Sequence, residues 1–577
     1  MKAKKRIGML LALMLMLTAV LAACSGNNNN AGNSGENAAE SNAGTNSNAA
    51  ASEGNGTAEV VDPDAPSWKS DTSPFTFKQY FYGTWASNYL WKDQLMMKHI
   101  ADKTGVTIDR FLATGSDNDF LNTMIASNDL PDTLMLDWNH PQVTKMVANG
   151  MLYSMDELID QYAPKLRDML DPDMVKYHSI DGKLWYLPNN YETKERLTNG
   201  IPITSIRPWF VRKDIFEALG SPNIQTEEDL FNFLKDAKAQ YPELNPVGME
   251  SFDVSMWGFQ GSLSMDYLIY SFSPNHNENR IKADQKLVEY PMRDPGFIDA
   301  FRYVNRLNKE GLFDPQLLIG KQEQYEEKMY GAQFIATSAF MNNIYTMYNP
   351  KIEATVGADK KYVVLDGLKV NGQDPRYPAT RLMGWQGFFV TKNAKNPERI
   401  AKFLEYAWSD EGQMDLRYGI EGETYDMVDG LPVVKPEVKE LELKDNGAWY
   451  NKYGLTSSTL MWRAGNPWDT ADKRDFMANQ PEQFAAKELL AKYNYDHNSL
   501  GLENIEPEGS SPEGVINAKV KELWNKTIPK LVLAKTDAEF DSIYADFVKD
   551  MDKVGAKKAE AVMYERHQMD LVKKGLK

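Results

Sequence analysis

Cysteine is nearly absent from this 577-residue chain, and its single instance, Cys24, rules out any disulfide within it. Basic residues are in deficit. Sixty-four lysines and arginines face 81 aspartates and glutamates, a formal charge of −17; setting aside Lys2, Lys4, Lys5 and Arg6 leaves 60 against 81, or −21. Nucleic acid and anionic membrane surfaces are held by basic patches that displace counterions, so this charge argues against both as partners. The six histidines are scattered, without metal-ligand spacing. No G-x-S-x-G elbow, H-E-x-x-H pair, P-loop or G-x-G-x-x-G turn occurs. Asp171-Pro-Asp173 begins like a calcium loop, but Val175 and the residues beyond break the ligand pattern. No catalytic residue, metal or cofactor is therefore expected. Apolar runs long enough to span a membrane are missing too, since Ile7 to Val20 is continuous for only 14 residues where about 20 are needed.

What is present begins with a targeting signal. The basic stretch Lys2 to Arg6, the short apolar run, and the small residues Ala22 and Ala23 before Cys24 have the layout of a secretory signal peptide. Leu21-Ala22-Ala23-Cys24 resembles the lipobox of bacterial lipoproteins, in which the thiol receives a diacylglycerol and becomes the new N-terminus. Two acyl chains, at about 0.8 kcal/mol per buried CH₂, hold a protein stably where one is marginal. From Ser25 to Ala58 the chain uses only Ser, Gly, Asn, Ala, Glu and Thr, which have too little apolar surface to order a segment. That tether implies that the folded part works near the outer face of the membrane.

Beyond it, strands and helices alternate. Phe75 to Tyr82 is β-rich, Ala86 to Asp102 carries apolar residues at near-helical spacing, and Val106 to Phe111 is again a strand. Asp117 to Asn128 reads as a helix and Asp132 to Asp137 as a strand, and Ser154-Met-Asp-Glu157 reads as a capping box opening another helix. Asp181-Gly182 is a turn, Ile206 to Arg212 is extended, Thr226-Glu-Glu-Asp229 caps a helix, and Asn396-Pro397 starts one whose apolar face includes Trp408. This order is that of an α/β protein with largely parallel sheets, whose ligands bind beyond the carboxyl ends of the strands. At about 100–200 residues per core, two or three units are expected.

An ordered set of short stretches carries a family resemblance. Leu130-Pro-Asp-Thr-Leu134, Asp181-Gly-Lys-Leu-Trp-Tyr-Leu-Pro188, Pro208-Trp-Phe-Val-Arg-Lys-Asp-Ile-Phe-Glu-Ala-Leu-Gly220, Val304 to Pro315, Asn393 to Tyr406, Ser409-Asp-Glu-Gly412 and Tyr418 to Tyr425 occur in sequence. In these the chain resembles the large extracellular solute-binding lipoproteins of Gram-positive carbohydrate ABC importers, the family-1 group related to maltose-binding proteins. The resemblance implies two α/β lobes joined by hinge-crossing strands, with a ligand cleft between them, as in periplasmic binding proteins. The expected layout is a signal peptide over 1–23, lipidated Cys24 and tether over 24–66, first-lobe segments over 67–190 and 363–435, and second-lobe segments over 191–362 and 436–577, the last helical. It also implies an oligosaccharide ligand, membrane permease partners, a lipid-anchored place on the extracellular face, and a monomer.

A pyranose offers an apolar C–H face and a ring of hydroxyls, so a sugar cleft needs aromatic platforms beside planar polar groups. The chain's 13 tryptophans supply candidates by loop position: Trp85 after the first strand, Asp137 and Trp138 after the third, Trp257, Asn343, and Trp385 with Gln386 on later segments, and Tyr425 near the last crossing. Trp185, Trp209 and Trp408 are expected to pack inside. A peptide receptor and a receptor presenting its ligand to a membrane sensor remain alternatives, and so does a surface-anchored glycan-active enzyme, because 81 acidic residues supply carboxylate pairs whose separation the sequence does not give.

Overall fold

The computed structural model describes residues 65–83, 90, 93–191, 202, 207–250, 265–319, 322–379, 384–455, 463, 468–502, 505–509, 511–574 and 576–577. Cys24, the polar segment 25–58, Trp85 and Trp257 lie outside them. Strands follow in the order β1 (Phe75–Phe81), β2 (Val106–Phe111), β3 (Thr133–Asp137), β4 (Leu187–Pro188), β5 (Trp209–Arg212), β6 (Asn245–Met249), β7 (Ile281–Lys282) and β8 (Leu287–Val288). They continue with β9 (Phe334–Ser338), β10 (Tyr362–Val364), β11 (Tyr377–Ala379), β12 (Gln386–Val390), β13 (Tyr425–Val428), β14 (Leu431–Val434) and β15 (Asn494–Asp496).

Two sheets organise the chain. The first has the order β2-β1-β3-β12-β4, with β1 parallel to both β2 and β3 and β12 antiparallel to β3 and β4. The second runs β10-β5-β9-β6, with β6 and β9 parallel and β5 antiparallel between β9 and β10. In both, the central strands β12 and β9 are buried at every position. A strand covered by helices on both faces needs apolar side chains on both, which is why Phe334-Ile-Ala and Gly387-Phe-Phe-Val read as continuous rather than alternating runs.

Each sheet has its own core. Trp68, Phe77, Phe388, Phe403 and Trp408 pack around the first, and Trp209, Phe301, Tyr348, Phe334 and Trp524 around the second. Trp209 and Trp408 are fully buried, as the sequence position predicts, and Trp185 is half-buried against the first core. The chain returns from the second core to the first after β11, since Leu365, Leu368 and Tyr377 belong to the second and the next first-sheet strand is β12. Val438, Tyr453 and Leu455 are still in the first core, while Ala486, Leu490 and the helices Pro512–Val532, Asp537–Lys553 and Ala556–Lys573 pack in the second.

Local signals fare differently where tertiary neighbours compete. At Thr226 the capping box forms as expected: its hydroxyl accepts from the Asp229 N–H at 3.0 Å while Asp229 accepts from the Thr226 N–H at 2.9 Å. Asn396 caps the helix Pro397–Trp408 by a single bond, its side-chain oxygen accepting from the Arg399 N–H at 3.1 Å. At Ser154 the box does not form. The Leu184 carbonyl lies against this turn, taking the Met155 N–H at 2.7 Å and the Ser154 hydroxyl at 3.3 Å, so the hydroxyl is drawn away from its own helix. The helix expected over Ala86 to Asp102 is described as Leu95–Thr104, ending at Gly105 in the left-handed conformation. Asp171 caps the helix Pro172–His178 through bonds from the Asp173 and Met174 N–H groups, the physical use of what resembled the start of a calcium loop.

Candidate ligand cleft

The carboxyl ends of β1 and β3 and the amino end of β12 meet at one rim of the first sheet. Register pairs Asp137 with Gln386, so the two predicted polar residues are neighbours because antiparallel pairing puts the last residue of β3 opposite the first of β12. Gln386 is fully buried, and its amide donates to the Tyr82 carbonyl at 2.9 Å. Asn189, immediately after β4, locks the same strand end: its N–H donates to the Gln386 carbonyl and its side-chain oxygen accepts from the Gln386 N–H, both at 2.9 Å. Asp117, at the start of the helix Asp117–Ser127, reaches the same rim, accepting from the Tyr80 hydroxyl at 2.9 Å and the Gly83 N–H at 3.3 Å. Burial pushes the Asp137 carboxyl up to about 6; a hydrogen bond with the Gln386 side chain pulls it down, and the neighbouring charge of Asp117 raises it further.

Aromatic groups frame this acidic corner. The backbone N–H of Trp138 donates to the backbone carbonyl of Trp385 at 3.4 Å, extending the β3–β12 pairing by one residue. Trp385 is half-buried against the first core. Trp138 is 8% exposed, packed edge-on against Tyr177 at 5.9 Å and His178 at 5.2 Å, so most of its ring serves packing. His140 stands edge-on to Tyr82, and burial lowers its tendency to take a proton.

On the second sheet the corresponding rim lies at the ends of β6 and β9. Glu250 follows β6 and is fully buried; its two oxygens accept from the Phe340 N–H at 2.7 Å and from the Asn343 side chain at 2.8 Å. Asn343 ends the short helix Met341–Asn343 after β9, and its amide is spent on Glu250. Arg207, at the amino end of β5, places its guanidinium 3.1 Å from Asp266 and 3.7 Å from Glu250, over the Phe340 ring at 5.1 Å. Burial raises the Glu250 carboxyl, against the bonds from Phe340 and Asn343 and the Arg207 charge.

Asp137, Trp138, Trp385 and Gln386 are brought together on one rim and Asn343 lies on the other. Tyr425, at the start of the β13–β14 hairpin, belongs to a separate cluster with Tyr418 and Ala471, its ring 6.0 Å from that of Tyr418. Trp85 and Trp257 lie outside the described residues, as does Arg381; Arg463 pairs with Asp410 on the helix Asp410–Arg417. Sequence reasoning missed Asp117, Asn189, Arg207, Glu250 and Asp266. Asn189 and Arg207 flank the first crossing, and polar residues hard against two strand ends were the available signal; Glu250 carried none, because the strand Asn245–Met249 contains Pro and Gly and does not read as β.

The sequence model of the family described as bacterial extracellular solute-binding protein matches residues 96–420. A fructooligosaccharide ABC transporter substrate-binding protein of Streptococcus pneumoniae is 23% identical over 345 residues, which are 57% of this chain and 60% of the relative's length. A lipoprotein of Bacillus subtilis, LipO, is 18% identical over 412 residues, 69% of this chain and 76% of that one. Among solved structures, the Streptococcus pneumoniae substrate-binding protein in complex with kestose superposes with a TM-score of 0.63 at 17% identity, covering 86% of this chain and 99% of the other. That likeness bears on the fold, and it is the two-lobed α/β arrangement that the family resemblance implies.

Proposed function

The chain belongs to the bacterial extracellular solute-binding protein family, and on that premise we propose that it is the lipid-anchored substrate-binding component of an ABC importer, taking up an oligosaccharide between its lobes and handing it to a membrane permease. The observation that carries the reading is the first rim: Asp137 paired with Gln386, braced by Asn189, with Trp138 and Trp385 beside them. Planar acceptors and donors suit a ring of sugar hydroxyls, and neighbouring aromatic residues suit its apolar C–H face. The two relatives named above, one a fructooligosaccharide-binding transporter component and one a lipoprotein, support the ligand class and the anchor at Cys24.

The saccharide is neutral. Both rims present carboxylates, Asp117 and Asp137 on one and Glu250 and Asp266 on the other, and the cation described among them, Arg207, is buried against its own pair of acids. An anionic sugar would meet like charge in a water-poor setting, which costs several kcal/mol in a specific interface.

The test is thermal unfolding against kestose, maltotriose, a trigalacturonate and a tripeptide, with product analysis of every sample. A ligand at 100 times its Kd adds about 2.7 kcal/mol of apparent stability, so a raised melting temperature with an intact neutral sugar is the expected result. A rise with the tripeptide alone, or a cleaved sugar, refutes the oligosaccharide-carrier reading; a rise with the trigalacturonate alone refutes only the neutral class. For the anchor, Cys24→Ala is expected to release the protein into the medium, and retention at the membrane would contradict it.

A further inference from the structure

The last helix of the second core ends against the first. Ala556–Lys573 packs in the second core through Ala556, Ala559 and Met563, and His567 holds the Leu500 carbonyl at 3.1 Å. At its C-terminus Lys574 is almost withdrawn from solvent, with 8% of its side chain exposed. Its ammonium pairs with Asp570 at 2.7 Å, donates to the Asn498 carbonyl at 3.1 Å, and lies 5.2 Å from the centre of the Tyr177 ring. Tyr177 belongs to the first core, on the helix Pro172–His178, and stands edge-on to Trp138. His178 closes the triangle, 4.8 Å from Tyr177 and 5.2 Å from Trp138, and bonds the Tyr186 hydroxyl at 3.0 Å. Neighbouring Lys573 is close enough to Asp181 of the first lobe to feel its charge.

We infer that Lys574 is a positioning residue for the ligand cleft, a cation on the second lobe that clasps the Tyr177 ring of the first and so fixes both the spacing of the lobes and the seat of Trp138. Ammonium groups within about 6 Å of an aromatic centre are attracted to its face, more strongly when water is excluded, and here Asp570 and Asn498 aim the ammonium so that little side-chain freedom remains to be lost. The covalent crossings leave a hinge free to open; a contact between cores, apart from those crossings, biases the equilibrium between open and closed forms. The effect on ligand rests on the reading that Trp138 faces the cleft, while the effect on lobe spacing does not.

The experiment uses the full-length chain with Cys24→Ser, in which introduced cysteines are the sole thiols. Spin labels at Ala126→Cys and Ala545→Cys, exposed positions on the two lobes, report the interlobe distance without ligand, and kestose titration reports affinity. Lys574→Met is expected to lengthen and broaden the distance distribution and to weaken kestose binding about tenfold, equivalent to about 1.4 kcal/mol. Tyr177→Leu should do the same, and Lys574→Arg and Tyr177→Phe should restore both. An unchanged distribution in Lys574→Met, or opening by Tyr177→Phe equal to that by Tyr177→Leu, overturns the clasp. If kestose binds none of these proteins while Lys574→Met opens the lobes, the clasp stands and kestose is excluded as the ligand.

Discussion

Replacing Asp137 by Asn separates what the first rim costs the fold from what it does for a ligand. The Asp137 carboxyl is raised from 3.8 to about 6, burial being the largest cause. Below about pH 3.8 the folded and unfolded chains both hold the proton and nothing is lost. As pH rises towards 6 the unfolded chain gives up its proton first, so stability falls through that window and stays low above it. The interval between 3.8 and about 6, at 1.36 kcal/mol per pH unit, makes the loss about 3 kcal/mol at pH 7.5. An asparagine side chain at this position has the same shape and carries no charge. It also brings a donor within reach of Gln386, whose side-chain oxygen accepts no hydrogen bond among the described residues. Urea unfolding should therefore show Asp137→Asn more stable than the parent by up to about 3 kcal/mol at pH 7.5 and by no more than about 0.5 kcal/mol at pH 4. Kestose affinity should move the other way, falling roughly tenfold or more, because a hydrogen bond to a charged acceptor is worth about 1.5–3 kcal/mol. No gain at pH 7.5, or the same gain at both pH values, would refute the argument that burial strains this carboxylate.

Three further outcomes follow from the same kind of reasoning. Glu227 is buried, with its carboxyl pushed up to about 8 by burial, so stability should decline between about pH 4.5 and 8; Glu227→Gln should flatten that decline in thermal melts and gain up to about 5 kcal/mol at pH 8, and parallel pH profiles would contradict it. Gly384 has φ +56° and a Cβ there would collide with the Asn189 carbonyl, whereas Gly182 at φ +76° faces open space. Gly384→Ala should thus cost more stability than Gly182→Ala and also weaken kestose binding by parting Asn189 from Gln386; equal effects in urea titrations would argue against the close approach. Thr226→Ala should cost about 1 kcal/mol and Ser154→Ala less than about 0.5, since the first hydroxyl caps its helix and the second does not; urea midpoints in the opposite order would reverse that assignment.

Whatever neighbours along the chain settle can be read without a structure. The basic and apolar runs before Cys24 and the polar stretch from Ser25 to Ala58 are matters of composition. The strands Phe75–Phe81, Val106–Phe111 and Thr133–Asp137 and the helix Asp117–Ser127 were legible because their periodicity and caps are local, and the order of short motifs was enough to name the family. Trp408 was legible as core because it sits on the apolar face of one helix. Which residues share a rim is set only when the chain folds. Asn189 meets Gln386 across 197 positions, and Arg207 meets Asp266 across 59, pairings fixed by strand register and by crossings that no window of sequence contains. The same cause undid the capping box at Ser154, where a carbonyl 30 residues away outcompeted the helix for one hydroxyl. It also bound Lys574 to Tyr177, since a long-range contact is chosen by the packing of whole cores and leaves no mark on the residues beside it.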